Sequence, residues 1–383
     1  MKIIIFGADG YLGWPTAMKF ASDGYDIIAV DNYLRRKIAK DTQSEALIDN
    51  PTLEERANNY KSISGKNIKV EIGDCANYEF VKNLFKTYKP DAVIHYAEQP
   101  SAPYSMIGYK ESFLTLRNNL DTTLNIIFGV IEESPDCHIV KLGTMGEYGT
   151  PNIDIEEGWI EIEHNKRKDK FLFPRQAGSL YHTTKIMDTD LLWFYVRAHG
   201  IKVTDLMQGP VYGISIPEAK TSDDLLPNFH YDDIFGTVLN RFLVQAVAGV
   251  PLTVYGEGGQ TRGYLNINDT IACVKLSIEN PPNNADLRIF NQFTETFSVN
   301  DLANKIKNVG DGLDLNVEIK NYPNPRKELE EHYYNPKHTG LIKLGLNPIY
   351  LTDELIREML GMVLKYKDKI DESKILPRVK WKN

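Results

Sequence analysis

Tyr181 and Lys185 stand four residues apart, a spacing that puts two side chains on one face of a helix. An ammonium beside a phenol favours the phenolate, so such a pair can take a proton from an alcohol near neutral pH. A third group can reach the same point. Thr144 lies in Lys141–Tyr148 and ends an apolar run, the position of a hydroxyl at the tip of a strand. A hydroxyl, a phenol and an ammonium aimed at one carbinol can move its proton while a bound dinucleotide takes its hydride. Tyr-x-x-x-Lys alone is a common pattern and equally describes an exposed amphipathic helix. It gains meaning when a dinucleotide site precedes it.

Such a site opens the chain. Ile3–Phe6 is a continuous apolar run, as in a strand buried on both faces, and it enters a turn carrying Gly7, Gly10 and Gly13. These glycines, with Tyr11 and Leu12 between them, would let the backbone approach a pyrophosphate at the start of a helix predicted over Trp14–Asp23. A second apolar run, Ile27–Val30, ends at Asp31 and Asn32. An acid there accepts hydrogen bonds from the adenosine ribose and disfavours a 2′-phosphate, which points to NAD. Arg35 and Arg36 follow, cations of the kind that meet an extra phosphate; NAD is still the preferred reading.

The elements that must position these groups alternate. Ile68–Ile72 is a third strand, followed by Asp74 and Cys75. Asp74 either meets the adenine or caps a helix starting near Tyr78. Ala92–His95 is a fourth strand, and Tyr96 and Ala97 at its end let a cofactor lie close. Leu114–Glu133 is a long helix carrying Asn118 and Asn119, a pair suited to bonding neighbouring strands. Ile139–Leu142, the helix from Tyr181 to about His199 and Val203–Met207 continue the series. The class is therefore α/β, a Rossmann-type doubly wound parallel sheet.

Two stretches break the rhythm. Residues 34–66 lack a strand pattern, hold a helix around Thr52–Lys61, and read as a lid, an oligomer contact or a surface insertion. Residues 150–179 form a polar loop or hairpin. After Met207 the pattern loosens into a helix at Phe235–Gly249, a strand at Leu252–Tyr255 and a helix at Val299–Asn308. Arg262 and Arg326, in separate loops, suit a diphosphate. The expected division is a dinucleotide-binding domain over 1–207, with a later segment of about 262–280 returning to it. Residues 208–383 would mainly form a smaller C-terminal α/β substrate-binding lobe.

At 383 residues, 42% hydrophobic and 25% charged, the composition is that of a globular protein with a large core. The net charge of −8 argues against nucleic acid or an anionic membrane as partner. No apolar run is long enough to span a bilayer, and the N-terminal run is too short for a secretion signal, so no membrane insertion is expected. Cys75, Cys137 and Cys273 have no paired spacing and read as reduced thiols of a cytoplasmic protein, with no metal site.

Gly7–Gly13, Thr144 and Tyr181/Lys185 together resemble the extended short-chain dehydrogenase/reductase family that acts on nucleotide sugars, which includes epimerases and dehydratases. Longer stretches are similar to the branch that joins sulfite to UDP-glucose. They are Gly143–Gly158, Ser101–Met106, Val254–Tyr264, Phe290–Glu295 and Glu331–Asn335. This resemblance spans essentially the whole chain and implies bound NAD, UDP-glucose and sulfite as substrates, and a product for a sulfolipid or glycan. It also implies a homodimer through the helices near Leu114–Glu133 and Tyr181–His199.

The resemblance assigns roles. Tyr181 would be the base at the sugar 4-hydroxyl, Lys185 would hold the nicotinamide ribose, and Thr144 would share the 4-oxygen. Met145 and Gly146 stand where sugar 4,6-dehydratases carry Asp-Glu, so an ordinary dehydratase is disfavoured. Of the ionisable groups left, His182 is expected near the sulfite and Glu147 as a proton carrier. Gln99, Ser101, Gln208, Arg262, Arg326 and Glu328 are expected at the substrate, and Thr237 at the uridine. Pro100 departs from the pattern, which expects Arg there. The alternatives are a UDP-glucose 4-epimerase and a non-catalytic NAD-sensing protein.

Overall fold

The computed structural model describes residues 1–44, 46–283, 285–325, 332–376 and 378–379. The first βαβ unit is β1 (Lys2–Phe6), α1 (Gly13–Ser22) and β2 (Asp26–Asp31). Next come α2 (Leu34–Asp41), α3 (Leu53–Ser64), β3 (Ile68–Ile72), α4 (Tyr78–Tyr88), β4 (Ala92–His95), the short α5 (Ala102–Ser105), α6 (Tyr109–Glu133) and β5 (His138–Thr144). A hairpin of β6 (Trp159–His164) and β7 (Arg167–Leu172) precedes α7 (Leu180–His199), β8 (Lys202–Gln208) and β9 (Val211–Tyr212). The rest comprises α8 (Val238–Ala248), β10 (Leu252–Tyr255), β11 (Thr261–Asn266), α9 (Ile267–Glu279), β12 (Leu287–Gln292) and β13 (Glu295–Ser298). It ends with α10 (Val299–Asp311), β14 (Ile319–Tyr322), α11 (Gly340–Lys343) and α12 (Asp353–Leu364).

Seven parallel strands form the central sheet in the order β12-β8-β5-β4-β1-β2-β3. Its apolar strands are buried on both faces, which explains the unbroken Ile-rich runs: Ile3, Ile4 and Ile5 are all inaccessible to solvent. The order reverses beside β1, so the crevice for a ligand opens at the carboxyl ends of β1 and β4. Within the expected returning segment of 262–280, α9 packs against α1 and β5, and β12 at residues 287–292 then joins the end of the sheet. Its register puts Thr144, Gln208 and Gln292 in one row at the carboxyl edge.

The insertion at 34–66 is two helices. Thr52 caps α3 by accepting from the Glu55 amide, and Glu55 returns the bond, a capping box. The polar insert is the β6–β7 hairpin, whose two turn residues, Asn165 and Lys166, both have left-handed φ, as a two-residue turn between twisted strands requires. Beyond β8, small sheets β10–β14 and β13–β11–β9 carry the second lobe. Among the described residues no helix is long and apolar enough to cross a membrane, and no cluster of His, Cys, Asp and Glu suits a metal ion. All three cysteines are buried and none is in a disulfide.

Candidate active site

One cavity of about 610 Å³ runs from the glycine turn to the second lobe. At its first end the backbone is stripped of side chains. A Cβ on Gly7 would lie 2.6 Å from the Tyr96 carbonyl carbon, and one on Gly13 would lie 2.1 Å from the Gly7 oxygen. No side chain caps the N-terminus of α1, which leaves that helix end without a side-chain acceptor at the cavity. Asp31 closes this end. Its carboxylate accepts from the amides of Asp9 and Tyr33, both near 2.8 Å, and burial followed by the Asp9 charge pushes it up to about 6.

Gly7, Gly10, Tyr11, Leu12 and Gly13 line the cavity with Asp31 and Asn32, and so do Asp74, Cys75, Tyr96, Ala97 and Asn118. The α4 cap is Asn77, not Asp74; Asp74 instead accepts from Asn32 and the Ala76 amide at the cavity wall. Arg35 also lines it, its guanidinium 4.9 Å over the Phe235 ring. Arg36 does not. It turns back to Asp9 with two bonds of 2.7 Å, and Arg56, fully buried, reaches the same carboxylate at 2.5 Å. The insertion thus braces the glycine turn, and the expected cofactor contact of Arg36 is replaced by a structural one.

At the other end, α7 is started by Ser179, which accepts from the His182 amide. Its inward face carries Tyr181, Lys185 and Asp188, the i, i+4, i+7 positions. Lys185 Nζ donates to the Leu142 carbonyl and lies 2.7 Å from Glu98 Oε2. It is 5.9 Å from the Tyr181 ring centre. The expected tuning of Tyr181 by Lys185 is therefore offset in this geometry: burial first and the Glu98 charge second push the phenol up. Glu98 also lines the cavity, a residue given no role in the sequence reading.

Thr144 Oγ1 accepts from the Gly146 amide and caps a single helical turn over Met145–Glu147. Met145 and Gly146 face the cavity; Glu147 does not. Its carboxylate is sealed beneath the turn among Lys141, Arg175, Thr189 and the Thr144 amide. The expected proton carrier is thus a structural group. His182 faces the cavity, with its Nδ1 3.1 Å from Ser179 Oγ. A Cβ at position 146 would lie 2.4 Å from His182 Nε2, so glycine there makes room for the imidazole.

The expected substrate residues divide. Gln99, Ser101, Gln208, Thr237 and Arg262 all line the cavity. The Gln99 side chain, however, is spent on Thr115 and Ser101, and Ser101 Oγ donates to the Ile234 carbonyl; both fold the loop rather than offering a spare donor. Thr237 donates to the Val211 carbonyl, and Gln208 to Gln292. Arg262 meets His332 at 2.9 Å. Arg326 and Glu328 lie outside the described residues. Arg241, Tyr255, Gln260 and Tyr334 also line the second-lobe wall; the last three lie in stretches that carry the family resemblance, but none had been given a role, and Arg241 had no signal beyond its charge.

Fold and cavity together are those of the doubly wound α/β class, with the cavity at the carboxyl ends of the central strands. The chain belongs to the NAD dependent epimerase/dehydratase family, which it matches over residues 3–291, and within it to the UDP-sulfoquinovose synthases. A chloroplastic UDP-sulfoquinovose synthase of Spinacia oleracea is 48% identical over 381 residues, covering 100% of this chain and 79% of that protein. The UDP-sulfoquinovose synthase of Sulfolobus acidocaldarius is 45% identical, covering 100% and 98%. In fold, the chain is similar to UDP-glucose 4-epimerase of Thermotoga maritima solved with UDP-glucose, at TM-score 0.71 and 19% identity over 95% of this chain and 99% of that one.

Proposed function

We propose that this enzyme converts UDP-glucose and sulfite to UDP-sulfoquinovose and water, using bound NAD that is regenerated in each cycle. The observation that carries the reading is the turn after Thr144. The position a sugar dehydratase fills with a carboxylate is Gly146, and His182 occupies the space. An imidazole in place of a carboxylate removes a charge that would repel an incoming anion. The glycine turn, the uncapped α1 terminus and Asp31 fit NAD, with Gly7, Gly10, Gly13 and Asp31 as its holders. NAD supplies an acceptor for the C4 hydride and later returns it.

Tyr181 takes the 4-hydroxyl proton, while Thr144 fixes the 4-oxygen and Lys185 fixes the ribose. The resulting 4-ketone acidifies C5–H. Loss of that proton with the 6-hydroxyl gives water and a 5,6-double bond. Hydrogen sulfite then adds through sulfur at C6, its proton ending on C5, with His182 holding the anion. Tyr181 returns its proton as C4 is reduced. Arg262 is assigned to the diphosphate and Thr237 to the uridine. The chain divides into 1–207 with returning segments and a substrate lobe over 208–383, and it works as a homodimer.

The test is to incubate the purified protein with UDP-glucose, with and without sulfite, and to weigh the nucleotide sugars by mass spectrometry. A species carrying sulfonate in place of one hydroxyl, formed only with sulfite, is the expected result. UDP-galactose formed without sulfite would replace this reading with an epimerase.

A further inference from the structure

The side chain of Glu98 is only 2% exposed, yet the residue lines the cavity beside the base. It follows β4, whose carboxyl end delivers it under α7. Among the described residues, groups face it from several elements. His95, on its own strand, places Nε2 3.4 Å from Glu98 Oε1. From α7 come Lys185 at 2.7 Å, the buried Asp188 and Tyr181. From β5 comes Lys141, itself held by Asp205 and Glu147. From α6 come Thr123, bonded to His95, and Asn119, which binds the adjacent backbone at Gln99. The charges sort themselves. Burial opposes ionisation of Glu98, but the ammonium groups of Lys185 and Lys141 hold it below the usual carboxylate range. Burial takes His95 down to about 4, so it is neutral. Burial and then the Glu98 charge push Asp188 well up, so it keeps its proton.

The cluster therefore sets the Glu98 carboxylate against Lys185, the ammonium on the same helix face as Tyr181, while Lys141 is held by Asp205 and Glu147. We propose that Glu98 is a positioning residue of the catalytic base: it clamps Lys185 and, by cancelling its charge, keeps Tyr181 a phenol, so that it sets the pH at which the base becomes competent. This rests on Tyr181 and Lys185 being the base pair of the proposed reaction. The field acts in one direction. Removing the negative charge removes a group that disfavours phenolate and releases the ammonium that favours it.

Glu98→Gln keeps the shape and an oxygen acceptor for Lys185 but deletes the charge. The ionisation of Tyr181 is read without substrate, as the ultraviolet tyrosinate signal that vanishes when Tyr181→Phe is added to each background. In E98Q this signal should emerge at lower pH, by about one unit or more, and the acid limb of the pH–rate profile should move the same way. Glu98→Asp, which restores the charge, should move both back toward the parent. A Tyr181 titration unchanged in E98Q, whether or not turnover falls, would make Glu98 merely structural and overturn the proposal. Because the titration needs neither sulfite nor UDP-glucose, it stands or falls separately from the product assay.

Discussion

At the scale of single residues the site is defined by which side chains are spent and which are aimed. Glu147 and Arg36 are spent: each is saturated by partners away from the cavity. Gly146 and His182 are matched, the absence of one side chain giving place to the other. Gly146→Ala is therefore expected to displace the imidazole while leaving the fold intact, since the atoms it meets are the ring end of a side chain. The apparent KM for sulfite should rise about tenfold or more, with little change in the affinity for UDP-glucose. Steady-state kinetics at varied sulfite, with a thermal melt as control, checks this. An unchanged KM for sulfite would remove His182 from the anion site.

At the scale of elements, Asp9 is the joint between the glycine turn and the inserted helices. Arg56 is inaccessible to solvent, stacks 4.8 Å over Trp14, and among the described residues has this one carboxylate as its ion-pair partner. Asp9→Asn leaves a buried cation uncompensated and should cost about 3–5 kcal/mol of stability. Urea denaturation measures it, and a loss below about 1 kcal/mol would show that α2 and α3 hold their place without the joint. This bracing was not legible in the sequence, because an Arg-rich polar stretch looks the same whether it faces solvent, a phosphate or an internal Asp. The β1–α1–β2 unit was legible for the opposite reason: a strand buried on both faces leaves a continuous apolar run, and the turn admits only glycine at Gly7 and Gly13. The helix at Tyr181 followed from the i, i+4 spacing of Tyr181 and Lys185. Glu98 left no trace, since a carboxylate becomes informative only when the strand end that carries it is placed under Lys185.

At the scale of the whole molecule the site is assembled from distant parts of the chain. Asp154 accepts from Tyr333 and Asn335, and Glu157 accepts from the Gly340 and Asn291 amides, so the loop after Thr150 is held by residues 134 to 183 positions later. The central sheet is likewise unfinished until β12 has docked on β8. A fragment ending at residue 207 is expected to self-associate rather than give a folded monomer, because β8 would end the sheet with an unpaired, apolar edge. Size-exclusion chromatography of that fragment is the check, and a stable monomer would contradict it. The late arrival of β12 also sets a timetable for synthesis. For as long as residues 209–292 are still being added and are leaving the ribosome, the nascent sheet carries a raw margin, so escort by a chaperone matters most in that interval, before the last strand seals it.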